Sequence, residues 1–386
     1  MRTRRTQLGA LCVGAATATV LALAGPVAAA PAGQAAEGQI RNAEAAGVVK
    51  GQYIVALEGD ASVRAGARTS VRSEATALAE QHGATVKQVY SSAFRGFSIS
   101  ATEAEAKALA AAPGVRYVEA DGVARAVGEQ PNPPSWGLDR VDGSMDDTYA
   151  YPATGAGVTA YVIDSGVDTS HPNFQGRATS GYDFIDNDRN AADCNGHGTH
   201  VAGTVGSRDY GVAKDADLVA VRVLNCQGSG QWSQIIAGID WVADNADGPS
   251  VANLSLGGGA NSSVDQAVQG LIDAGVTTAI AAGNSNADAC GTSPARVSAG
   301  ITLGSTDRGD GRSSFSNYGR CLDLFAPGRD IVSTRNGGGT QSMSGTSMAT
   351  PHTAGAAALY LEGNPGASPR EVRDAIVGAA EQGVVG

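Results

Sequence analysis

Lysine is nearly absent from the body of this chain. Between residues 127 and 386 the only lysine is Lys214, and fourteen basic residues face twenty-eight acidic ones. The net charge of −11 belongs to that stretch alone: residues 1–30 carry three arginines and no acid, and residues 31–126 balance ten against ten. A body of this sign lacks the electrostatic footprint of a nucleic-acid partner. Long apolar runs are scarce too. The run from Leu8 to Ala24, rich in Ala and Gly, follows Arg2, Arg4 and Arg5 and precedes the small-residue stretch Ala28-Ala29-Ala30. That is the pattern of a secretory signal over residues 1–30. No second apolar span of membrane length follows, so after signal removal no membrane partner is expected. Cysteine numbers only five, and Cys12 leaves with the signal. Export implies an oxidising compartment. Cys194, Cys226, Cys290 and Cys321 remain, and spacing does not choose among their three pairings. Glycine is what the chain has in plenty, 53 residues, which suits many tight turns better than a helical bundle.

At 386 residues the chain has room for a catalytic-size domain and a smaller one. Residues 31–48 read as a flexible lead. A compact pattern follows: strand Gln52–Leu57, helix Ser62–His82, strands Thr85–Tyr90 and Phe94–Ser100, helix Thr102–Ala111, strand Val115–Val118. Thr102 with Glu105 three positions on makes a capping box. The order βαββαβ forms a split βαβ sandwich. Pro131 to Pro134 marks a boundary. Beyond it, apolar strands Val158–Ile163, Leu218–Leu224, Val251–Leu256 and Val276–Ala281 alternate with helices Ser233–Asn245 and Val264–Ala274. This alternation predicts an α/β domain, a mainly parallel sheet covered by helices on both faces. Ligand groups then gather at the carboxyl ends of strands, where Asp164, Ser255 and Asn284 fall.

The stretch Ser344 to His352, SGTSMATPH, places Ser347 two residues after Gly345 and just before an Ala- and Leu-rich helical run to Leu361. Free N–H groups at a helix N-terminus favour an oxyanion. A serine nucleophile also needs a base, and the base an orienter; otherwise Ser347 is an N-cap. His197 stands uncrowded between Gly196 and Gly198 at the expected start of a helix, while His200, one turn on, packs inward. A metal site on this pair would lack the Glu of HExxH and an evident third ligand. Asp164 ends an apolar strand in VIDSGVD, so it should be partly buried and need a partner; Asp168 lies further into the turn and should be more solvated.

VIDSGVD, NGHGTHVAG and SGTSMATPH, in that chain order, resemble the three active-site motifs of the subtilisin-like serine proteases. The likeness runs from about Trp136 to about Ala380. SRDYGVAKDADLVAVRVL, VANLSLGGG, AAGNSNADAC and SSFSNYG are similar to the proteinase K branch, aqualysin-type enzymes above all. Residues 52–120 resemble the family's inhibitory propeptide. The resemblance implies a subtilisin-like three-layer peptidase domain over 127–386, a propeptide over 31–126, and secretion as a zymogen. It implies Ser347 as nucleophile, His197 as general base and acid, Asp164 as its orienter, and Asn284 with the Ser347 N–H as oxyanion donors. A domain that only bound peptides would be expected to have lost one of these four residues, and none is lost. A peptide cyclase on the same triad would look identical in sequence.

Further implications follow residue by residue. Gly228-Ser229-Gly230 and Ser255-Leu256-Gly257 match the strands that sandwich an extended peptide, binding it through the main chain. Small Ala281 and Gly283 match the wall of the first pocket and leave room for an apolar or aromatic side chain; Trp232 matches the edge of a pocket further along. The implied disulfides are Cys194–Cys226 and Cys290–Cys321. Catalysis of this kind uses no cofactor. A structural calcium is implied at Asp323 and the carbonyls of Ser298 and Gly300. The implied partners are protein and peptide substrates and the chain's own propeptide, acting on a monomer. Relatives continue past the position of Gly386, so a domain lacking its C-terminal end is also implied.

Overall fold

The computed structural model describes residues 38–43, 48–59, 67–122 and 128–385. The signal, most of the lead and residues 123–127, which span the expected end of the propeptide at residue 126, lie outside the described residues. The described chain forms two compact units, 38–41 with 51–119 and 42–50 with 120–385.

The smaller unit has the predicted order: β1 (Val48–Leu57), α1 (Ala67–Gln81), β2 (Thr85–Tyr90), β3 (Gly96–Ser100), α2 (Glu103–Ala110) and β4 (Val115–Gly122). With the two-residue strand Ile40–Arg41 they make a sheet of order Ile40–Arg41, β4, β1, β3, β2. The capping box forms: Glu105 N–H donates to Thr102 Oγ1 at 3.3 Å and Thr102 N–H to Glu105 Oε2 at 2.7 Å.

The larger unit is built on seven strands: β5 (Thr159–Asp164), β6 (Ala178–Asp183), β7 (Asp217–Arg222), β8 (Ser250–Leu254), β9 (Thr277–Ala281), β10 (Ile301–Thr306) and β11 (Leu324–Pro327). All pair in parallel in the order β11-β10-β9-β8-β5-β7-β6. The chain leaves β5 toward one edge first and returns to build the other side from β8. That makes β5 the topological switch point, and Asp164 is its last residue. Side chains alternate along β5: Ala160 and Val162 join one apolar core, Tyr161 and Ile163 the other. The first core receives α3 (His197–Gly206) and α6 (Thr346–Gly363), and the second receives α4 (Trp232–Asn245) and α5 (Ser262–Asp273). Helix α6 is buried on nearly every side, so its pattern is apolar all round rather than striped. A last helix, α7 (Pro369–Ala379), follows.

Strands β6, β10 and β11 were not legible in the sequence. All six residues of β10, ITLGST, are buried, but its polar groups are satisfied: Thr302 Oγ1 donates to Ala295 O at 2.9 Å and Ser305 shares a 2.8 Å bond with Ser313. Lys214 is enclosed, its ammonium donating to Gln130 Oε1 at 2.6 Å and to the carbonyls of Arg208 and Gly211 at 3.0 Å. Burial pulls that ammonium down to about 8. Both disulfides are present, Cys194–Cys226 and Cys290–Cys321, closing separations of 32 and 31 residues. Replacing Cys290 and Cys321 together by serine is expected to lower unfolding free energy by about 2–4 kcal/mol, the usual worth of a bridge over such a loop. Denaturant titration of both proteins checks it.

Candidate active site

Each candidate residue comes to the carboxyl edge of the parallel sheet by a local route. Asp164 ends β5 and is fully buried. Its Oδ1 lies 2.7 Å from His197 Nδ1 and also accepts the Ser165 N–H at 2.7 Å. Its Oδ2 is buried without a partner among the described residues. His197 is the first residue of α3, and glycines bring it there. Gly196, the N-cap, has φ of 101°, a left-handed conformation that favours glycine. A Cβ on Gly198 would stand 2.1 Å from Gly166 O, so only glycine lets the helix approach the turn after β5.

Burial pulls the His197 imidazole down, but the charge and hydrogen bond of Asp164, with the more distant Asp193, outweigh it. The net shift is above the ordinary value near 6.5. His200 behaves differently. Its ring is buried, Nε2 meets Ile331 O at 2.9 Å, and burial pushes its pKa down to about 4. The two imidazoles thus serve different partners. Asp168, partly exposed, accepts from Ser170 and Gly337.

Ser347 is the second residue of α6, so its N–H is among those without an intrahelical acceptor. Its carbonyl is freed as well, because the residue four positions on is Pro351, which has no N–H to offer. The Ser255 hydroxyl takes that carbonyl at 2.8 Å. The Ser347 hydroxyl donates to Ser255 O at 3.0 Å, and no hydrogen bond to His197 is formed among the described residues. The hydroxyl must give up that carbonyl before its proton can pass to the imidazole. Asn284 follows β9. Its Oδ1 accepts from Thr346 N–H at 2.8 Å and Thr346 Oγ1 at 3.0 Å, which leaves the Nδ2 donor as the free end of the amide.

His197, Asn284 and Ser347 line one cleft of about 1000 Å³ with all nine residues expected to hold substrate. Two of those expectations need correction. Residues 228–230 and 255–257 are not strands: β8 ends at Leu254, and the former belong to a turn closed by Asn225 N–H to Ser229 O at 2.8 Å. Trp232 opens α4 and packs on Gly258, where a Cβ would meet its ring at 2.8 Å; it therefore both lines the cleft and supports it.

Two organising residues were missed. Asp193 Oδ1 accepts from Ser165 Oγ at 3.0 Å, Asn195 N–H at 2.9 Å and Gly196 N–H at 2.8 Å, and its Oδ2 accepts from Thr199 N–H at 3.0 Å. It fixes the start of α3 against the turn after Asp164. A carboxylate just ahead of a helix start was its signal. Asn317 is buried and bridges the loop of Asn284, donating to Ala282 O at 2.8 Å and accepting from Ser285 and Ala287 at 3.0 Å. Only its place in SSFSNYG pointed to it.

The oxygens expected to hold calcium lie away from the cleft. Gly300 O accepts from Arg373 Nε at 3.1 Å, Asp323 Oδ1 from Arg373 Nη2, and Asp323 Oδ2 from Thr302 N–H at 2.8 Å; Ser298 is exposed. Calcium collects six to eight oxygens. A single carboxylate and a carbonyl already serving a guanidinium do not fit that ion in this arrangement.

With this geometry in view, the relationships of the chain are informative. Residues 155–386 match the subtilase family and residues 52–126 match peptidase inhibitor I9. The chain belongs to the subtilase family, the subtilisin-type serine peptidases, and carries an inhibitor domain ahead of its peptidase domain. It is similar to the extracellular serine proteinase of Thermus sp. (strain Rt41A), 46% identical over 92% of this chain and 91% of that protein. It is 53% identical to alkaline serine exoprotease A of Vibrio alginolyticus over 78% of this chain, but spans only 58% of that protein's length. A crystal structure of a cold-adapted subtilisin-like serine proteinase matches with TM-score 0.64 and 58% identity, over 65% of this chain and 93% of that one.

The imidazole shift yields a direct check. Asp164→Asn removes the nearest charge that raises His197, leaving burial opposed by the more distant Asp193. NMR titration should show the His197 pKa moving from above the ordinary histidine value to below it, with His200 still near 4.

Proposed function

We propose that this chain is a secreted serine endopeptidase that cuts proteins with broad specificity and is made as a self-processing zymogen. The observation that carries the reading is the meeting, in one cleft, of the His197–Asp164 pair, the Ser347 hydroxyl at a helix N-terminus and the free amide end of Asn284. Ser347 Oγ attacks the scissile carbonyl carbon while His197 Nε2 takes its proton. The oxyanion is held by the Ser347 N–H and Asn284 Nδ2. Collapse breaks the C–N bond as His197 returns the proton to the leaving amine. Water, deprotonated by His197, then attacks the acyl carbon; the bond to Ser347 Oγ breaks and His197 returns the proton to that oxygen. Asp164 keeps the imidazole in the required tautomer and stabilises its charged form. No cofactor is needed for these steps.

The Ser255 carbonyl links binding to chemistry in this reading. It now accepts the Ser347 hydroxyl; a substrate N–H bound there releases that hydroxyl toward His197. Main-chain recognition by residues 228–230 and 255–257 accounts for breadth. Small Ala281 and Gly283 admit a large apolar or aromatic side chain before the cut. The inhibitor domain over residues 52–126 is an intramolecular partner that the enzyme removes, and the acidic monomer has no nucleic-acid partner. Secretion rests on the signal pattern of residues 1–30.

Digestion of a long peptide of known sequence, with products mapped by mass spectrometry, tests the proposal. Hydrolysed ends after apolar and aromatic residues, absent with Ser347→Ala, are expected. Ligated products without hydrolysis, or undiminished cleavage by that variant, would refute it. Asn284→Ala should lower kcat by roughly 10²–10³ with KM little changed, the loss typical of one oxyanion donor. Because His197 must be neutral to act as base, activity should fall as pH drops through its raised pKa.

A further inference from the structure

The guanidinium of Arg373 stands among the oxygens that the resemblance assigns to a metal ion. Helix α7 brings it to the sheet, where three segments meet. Nε donates to Gly300 O at 3.1 Å, just before β10, and Nη2 donates to Asp323 Oδ1, just before β11. Nη1 reaches Asp374 Oδ1 at 3.4 Å. The second Asp323 oxygen accepts the Thr302 N–H at 2.8 Å. Both carboxylate oxygens and the carbonyl therefore have donors already. The exposed guanidinium of Arg370 lies 3.6 Å from Asp374, so that carboxylate too is already paired with arginine.

We propose that Arg373 is the resident cation of this site, a side chain in the place of calcium. The chemistry of the fork suits the exchange. A guanidinium stays charged at any working pH, and its planar donors reach a carboxylate and a carbonyl from one rigid group. A hard divalent ion would need further oxygens that this arrangement does not offer. The corner joining α7, β10 and β11 is thus held without metal. Removing the guanidinium frees Asp323 Oδ1 and Gly300 O, to which water can add the further oxygens that calcium requires. This inference is independent of the proposed activity.

Calcium titration calorimetry on the full chain, dialysed against chelator and carrying Ser347→Ala to prevent self-digestion, tests it. The parent and Asp323→Asn should bind the same number of calcium ions. Arg373→Ala should bind one more, and adding Asp323→Asn should abolish that gain. If Asp323→Asn binds one ion fewer than the parent, or Arg373→Ala gains none while folded, the proposal fails. Should Arg373→Ala not fold by circular dichroism, Arg373→Gln, which keeps a shorter polar side chain without the charge, replaces it. A crystal of the parent soaked in calcium gives an independent answer. An ion about 2.3–2.6 Å from Asp323 overturns the proposal, and Arg373 still seated on Asp323 supports it.

Discussion

A carboxylate with no exposure to solvent must be answered by protein groups, and the answer to Asp164 is His197 at 2.7 Å. The larger unit is arranged around that requirement. An isolated buried charge costs several kcal/mol, so Asp164 is tolerable only while the imidazole and the Ser165 N–H stay in place. Keeping them there takes a helix start pressed against a strand end, closer than any side chain would allow. Gly198 supplies the closeness, and Asp193 ties Ser165 and the first turn of α3 into one body. The imidazole is thereby raised above its ordinary value without being taken out of the cleft, where one-fifth of its side chain remains exposed.

The second arm of the site follows from a proline. Pro351 interrupts the hydrogen bonding of α6 at the carbonyl of Ser347, and the Ser255 hydroxyl fills the gap. A helix that emerges from the core is in this way fastened to the end of β8 at its first turn. Thr346 does the same for the end of β9, fixing Asn284 by its oxygen and Gly283 N–H by its hydroxyl at 3.1 Å. Nucleophile, oxyanion donor and substrate-facing backbone are therefore held relative to one another by the residues that also start the helix.

Much of this was legible because the features are local. Apolar runs of strand length marked β5, β7, β8 and β9, and Thr102 with Glu105 marked the start of α2. The three motifs placed Asp164, His197 and Ser347 because each is a short string with its own geometry. Strands β6, β10 and β11 escaped because their residues are small or polar, or the run is only four residues long. Segments 228–230 and 255–257 carry little that separates a strand from a turn, being Gly- and Ser-rich apart from Leu256. Arg373 could not be seen at all. It lies 50 residues from Asp323 and 73 from Gly300, and only the packing of α7 makes them neighbours.

Everything in the site turns on whether Ser347 is activated by His197, since the two line one cleft with no hydrogen bond between them among the described residues. Labelling of the propeptide-free protein with a fluorophosphonate, followed by mass mapping, measures that directly. A single adduct on Ser347, lost in a folded His197→Ala variant, is the predicted result. Folded, propeptide-free protein that takes up no label, or a His197→Ala variant that labels as fast as the parent, would contradict it.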